Sequence, residues 1–80
     1  MLYLATSETY PFLNHVRIDV VKMDFNNNYA KFRILFETVD DLQFKEEYYE
    51  LTQEDYSSWG LDDSYVIGKI FTEFSLSEPE

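Results

Sequence analysis

Eighty residues with sixteen carboxylates against six Lys and Arg carry a net charge of −10, which disfavours direct contact with nucleic acid or an anionic membrane. A chain of this length makes one domain that buries only about 60 to 65% of its unfolded surface, so the core must be dense; seven Phe, seven Tyr and one Trp supply its bulk. The absence of cysteine excludes disulfides, thiolate metal sites and a thiol nucleophile, and the N-terminus has no basic region ahead of an apolar run, so a cytoplasmic setting is expected.

Residues 1–14 read as an N-terminal arm. Leu2, Tyr3 and Leu4 suit a short edge strand, Pro11 breaks the chain, and Phe12 with Leu13 are expected to plug the core. His15, the one histidine, has no acid at ligand-like spacing in the sequence and receives no role. Residues 16–25 alternate Val16, Ile18 and Val20 against Arg17 and Asp19, then continue on the opposite parity at Val21, Met23 and Phe25. That slip predicts a strand with a bulge near Val20 and Val21. Asn26, Asn27 and Asn28 tolerate the left-handed backbone of a tight turn, which predicts a hairpin to a second strand over 29–38. There Ala30, Phe32, Ile34 and Phe36 alternate with Lys31, Arg33 and Glu37, the period-two signature of one buried face.

Val39, Asp40 and Asp41 turn the chain into a strand over 42–51. Its parities conflict, Leu42, Phe44 and Tyr48 against Tyr49 and Leu51, and a bulge near Glu46 and Glu47 would reconcile them. Thr52 with Asp55 resembles a capping box for a short helix over 53–59, closed by Gly60. Tyr56 and Trp59 share one face of that helix, as core or as an exposed aromatic patch; the apolar bulk already present in Phe32, Ile34, Phe36, Phe44, Ile67 and Phe71 favours exposure. Residues 64–74 fit alternation loosely, and Val66, Ile70 and Phe74 also fit a helix face. Gly68 and the Val, Ile, Tyr and Phe content favour a last strand, with a frayed tail over 75–80. The expected fold is α+β, mainly β: an antiparallel meander of about four strands with one short helix before the last strand.

Catalytic and cofactor motifs are missing. Asp40 with Asp41 and Asp62 with Asp63 lack the spacing of a calcium loop and read as turn and cap residues; two glycines make no phosphate loop, and no hydrolase motif occurs. The chain is therefore read as a binding protein, with no enzyme activity, metal or cofactor. Ten of its sixteen carboxylates lie within residues 37–63, opposed there by Lys45 alone, a balance of −9. Glu37, Asp40, Asp41, Glu46, Glu47, Glu50, Glu54 and Asp55, interleaved with Tyr48, Tyr49, Tyr56 and Trp59, form the expected partner-binding set. Carboxylates two strand positions apart stand roughly 6.7 Å apart, of the same order as successive phosphates, so the set suits imitation of DNA before a basic DNA-binding protein.

Residues 32–71 resemble the short uracil-DNA glycosylase inhibitors of tailed phages: an apolar strand, an acidic turn, a strand with Tyr48, Tyr49 and Glu50 as Tyr-Tyr-Glu, and an aromatic helix ending at Trp59 and Gly60. The resemblance implies an acidic face standing in for DNA phosphates. It also implies a box of helix aromatics, here Tyr56 and Trp59, built across a homodimer around an apolar side chain of the enzyme. The helix aromatics are one residue closer than in that family, the loop before the helix is shorter, and residues 1–28 have no counterpart. The reading is an acidic DNA-mimicking inhibitor of a host enzyme, first a uracil-DNA glycosylase. The alternatives are an anti-CRISPR or anti-restriction protein using the same mimicry, or a structural adaptor.

Overall fold

Strand alternation sets the architecture. The computed structural model, which describes residues 1–60 and 62–79, contains β1 (Leu2–Leu4), β2 (His15–Asp24), β3 (Tyr29–Glu37) and β4 (Gln43–Thr52). They form one antiparallel sheet in the order β1-β2-β3-β4, so the fold is α+β and mainly β, a four-stranded meander as expected. Val16 and Ile18 of β2, Ala30, Phe32, Ile34 and Phe36 of β3, and Leu51 of β4 are buried on the inner face. Register pairs Ile18 with Ile34, Phe32 with Tyr49 and Ala30 with Leu51. A slip of one residue would turn this whole set to water, and that holds the register.

The pairing of β2 with β3 shifts between Val20 and Lys22, where the sequence placed a bulge. The second irregularity is elsewhere than expected. Pairing is continuous through Glu46 and Glu47 and shifts instead where Phe36 meets Lys45 and Glu37 meets Gln43, leaving Phe44 as the extra residue. The bulge there turns Phe44 inward against the rings of Tyr10, Phe12 and Phe36, at centroid distances of 5.6, 4.7 and 6.3 Å. Tyr48 is left facing outward, while Tyr49 and Leu51 face in.

A short 3₁₀ turn (Phe25–Asn27) joins β2 to β3. The Asp24 carboxylate accepts hydrogen bonds from Asn26 N and Asn27 N, and Asn28 takes φ 50°, the left-handed state the Asn run was expected to supply. At the other end of β3 Thr38 N donates to Leu42 O and Asp41 N donates to Thr38 O, with Asp41 at φ 63°.

Helix α1 (Gln53–Trp59) begins and ends where predicted, with Gly60 in the left-handed C-cap. Its N-terminus differs: Thr52 occupies the N-cap but makes no side-chain capping bond, so no capping box with Asp55 forms, and Gln53 has φ 50°. Residues 64–74 are not a strand. Helix α2 (Asp63–Glu73) starts on the Asp62 carboxylate, which accepts from Ser64 N, and buries Val66, Ile70 and Phe71. That i, i+4, i+5 set lies on one helical face, and burying it outweighs the strand preference of the Val and Ile content and the helix penalty at exposed Gly68. The fourth strand is β1 instead. The expected frayed tail is also revised: Leu76 is buried and Ser77 exchanges backbone hydrogen bonds with Thr6, while Glu80 lies outside the described residues.

Both helices cover the inner face of the sheet. Trp59 is 4% exposed and packs edge-on to Phe32 at 5.6 Å, so it is core and cannot form an open box. Tyr56 is half-buried against Trp59 and Phe25. The apolar side chains expected to suffice for the core do not displace Trp59, whose buried ring packs against Phe32. Among the described residues no helix is long and apolar enough to cross a membrane.

Candidate functional site

The structure divides the expected partner-binding residues between two places. At one end of the sheet, cross-strand register sets His15 opposite Glu37. His15 Nε2 lies 2.7 Å from Glu37 Oε1 and 3.2 Å from Asp41 Oδ1, its Nδ1 lies 2.8 Å from Asn14 Oδ1, and Arg17 Nε donates to Glu37 Oε1 at 2.7 Å. Glu37 is 6% exposed, so it is an internal residue and not part of a partner surface. Burial alone would raise its carboxyl; the bonds from Arg17 and His15 outweigh that and hold it below the usual carboxylate range. Asp40 stays in solvent on the same turn.

His15, Glu37 and Asp41 place one donor atom each within 4.8 Å of one another, the composition of a divalent-cation site. Arg17 already occupies one side of it. Both ring nitrogens of His15 face oxygens, of Asn14 on one side and of Glu37 and Asp41 on the other, and Arg17 supplies a permanent positive charge beside the two carboxylates. The cluster is a clasp that ties the start of β2 to the end of β3 and to the turn at 38–42. Spacing along the chain hid it: Glu37 is 22 residues from His15, and only the antiparallel pairing of two strands of matched length brings them together.

The second place is the far edge of the sheet. β4 has β3 on one side and no strand on the other, so side chains leaving either of its faces reach the same rim. Glu46, Tyr48 and Glu50 are exposed on the face the helices leave open; Glu47 and Tyr49 are half-buried on the other. The hydrogen bond from Gln53 N to Asn28 O fixes the ladder's phase, and the alternation that follows turns the main-chain N–H and C=O groups of Glu46, Tyr48 and Glu50 to the free edge. α1 prolongs the rim with exposed Glu54 and half-buried Asp55.

Some of this charge is answered. Lys45 pairs with Glu47 at 3.0 Å, Lys69 with Asp55 at 3.5 Å, and the Tyr29 hydroxyl donates to Glu50 at 2.6 Å. Asp40, Glu46 and Glu54 have no ion-pair partner among the described residues. Four of the six basic residues, Arg17, Lys22, Lys31 and Arg33, sit on the open face of the sheet, with Lys22 over the Tyr29 ring at 5.6 Å and Lys31 over Tyr48 at 4.7 Å. That face is mixed in sign. The surplus acid lies on the β4 rim and on the helical side, where Asp62, Asp63 and Glu73 follow Glu54 and Asp55 with only Lys69 against them. No protein-family model, curated protein or solved structure matches the chain.

Proposed function

We propose that this protein is an acidic inhibitor that occupies the DNA-binding site of a basic enzyme, with a uracil-DNA glycosylase of the host cell as the first candidate target. One observation carries the reading: Glu46, Glu47 and Glu50 rim a single free edge, and α1 continues that edge with Glu54 and Asp55. Glu46 and Glu50, four strand positions apart, span roughly 13 Å, a length over which a duplex offers several phosphates. The sheet behind them is anchored by a buried core, so the charges are held at fixed separations and need little ordering on binding.

The resemblance of residues 32–71 to the phage glycosylase inhibitors supports the same target, in a reduced form. Trp59 belongs to the core, so recognition rests on the carboxylate rim with Tyr48 and the exposed part of Tyr56, and the two-subunit aromatic box is not part of it. The test is a steady-state uracil-excision assay on a DNA substrate with increasing amounts of this protein. Inhibition that is competitive with DNA and relieved by salt supports the reading; full activity at a large molar excess of the protein removes it, and the same competition format then applies to nucleases and restriction enzymes.

A further inference from the structure

Between edge strand β1 and helix α2 the core stays open. Ile18, Phe32 and Val66, all buried, floor a cavity of about 180 Å³ walled by Tyr3, Val20 and Ile67. A second space of about 380 Å³ runs on from it along α2, sharing Tyr3, Asp63 and Ile67 and reaching Phe71 and Glu78. The first is close to the roughly 150 Å³ of a cavity that accepts one benzene ring.

Among the described residues, the charged side chains lining this apolar groove are all acidic. Asp19 and Asp63 stand at the first cavity and Glu78 at the second, and among the described residues no Lys, Arg or His side chain lines either. The rim already holds a primary ammonium: the Met1 amine donates to Asp19 Oδ1 at 3.3 Å and to Ile18 O at 3.0 Å. Asp19 is thereby engaged, whereas Asp63 has no cationic partner among the described residues. Asp63 lies in the first turn of α2, where the helix end contributes about half a positive charge; together with Asp62 the local balance remains negative. Its charge reaches into the groove, since burial, followed by the Asp63 carboxylate, raises the Tyr3 hydroxyl above its ordinary value.

We propose that this groove binds a small organic cation, a ring-sized apolar group that carries a protonated amine. The ring fills the cavity over Ile18, Phe32 and Val66, and the ammonium meets Asp63 at the mouth. Charge selects the ligand class: an apolar body alone gains only the burial, and an acid of the same shape meets three carboxylates. The site is separate from the β4 rim and stands whether or not the protein inhibits an enzyme.

Phenethylammonium is the probe, with 2-phenylethanol as its neutral counterpart and phenylacetate as its anionic one, each titrated into the labelled protein and followed by amide NMR shifts. Trp59 fluorescence gives a second readout, because its ring packs against Phe32 on the cavity floor. The expected result is saturation by the amine with shifts centred on Tyr3, Val20, Val66 and Ile67, about fivefold weaker binding of the alcohol, and none of the acid. Asp63→Asn should bring the amine down to the affinity of the alcohol, and Ile67→Trp, which fills the cavity, should abolish both. No saturation by the amine at about 10 mM, equal binding of amine and alcohol, or an unchanged affinity in Asp63→Asn would overturn the proposal.

Discussion

The two ends of the acidic segment have opposite fates. Glu37 and Asp41 meet His15 and Arg17 in a clasp whose inner pair, His15 and Glu37, is buried. Glu46, Glu50 and Glu54, from the same run of sequence, project from an edge strand and a helix start into solvent. Both stretches are acidic in sequence; the difference lies in what the strand register brings across. β2 delivers a histidine and an arginine to the first group, while among the described residues no strand lies beyond β4 to neutralise the second. Charge counted along a chain measures supply, and topology decides where it is free to act.

The comparison breaks most visibly at the core that supports both regions. Trp59→Ala removes a buried ring packed edge-on to Phe32 and should cost about 3 to 5 kcal/mol, most of the stability of a domain this size. A thermal melt checks this, with loss of a cooperative transition expected. Trp59→Phe should cost less than about 1 kcal/mol, because it keeps an aromatic ring in place and deletes an indole N–H that is buried without a hydrogen-bond partner.

Glu37→Gln tests the closed end. It takes the countercharge from the Arg17 guanidinium and weakens the hydrogen bond to buried His15, and should cost about 3 kcal/mol, the low end for a broken buried pair because Arg17 is part-exposed. The pH dependence has a definite sign. Glu37 titrates lower in the folded state than in the unfolded chain, so its contribution is present above the unfolded carboxylate value of about 4.3 and is lost as pH falls through the lower folded value. Denaturant unfolding across that acid range should show a steeper loss for the wild type than for Glu37→Gln.

At the open edge the same kind of change should leave the fold alone. Glu46→Lys with Glu50→Lys is expected to shift stability by less than about 1 kcal/mol while weakening enzyme binding about tenfold or more. Circular dichroism beside a competition assay against DNA separates the two effects. A smaller change sharpens the junction of β4 with α1: Gln53 sits at φ 50°, so Gln53→Gly should raise stability by up to about 1 kcal/mol by relieving a left-handed backbone.

Much of the fold was legible in the sequence because it follows from short-range pattern. The alternation over 29–37, the slip at Val20 and Val21, the Asn turn and Gly60 as a C-cap all act within a few residues. Residues 64–74 misled because Val, Ile and Phe content speaks for strand, whereas burial of Val66, Ile70 and Phe71 on one helical face decided the matter at tertiary range. Trp59 was misplaced for a related reason: summing apolar side chains says whether a core can fill, not which ring covers which gap. The clasp was hidden altogether, since His15 and Glu37 meet only through pairing of β2 with β3. The acidic rim was half visible: its residues were named, but Glu37 had to be taken out of it once register placed that side chain opposite His15.

The central claim is that free charge on the β4 rim guides this protein to a basic enzyme. Stopped-flow association with a uracil-DNA glycosylase, measured from about 0.01 M to about 0.15 M ionic strength, tests it most directly. The account predicts an on-rate that falls several-fold over that range for the wild type and is both slower and nearly flat for Glu46→Lys with Glu50→Lys. An on-rate insensitive to salt, or one that the double charge reversal leaves unchanged, would contradict it.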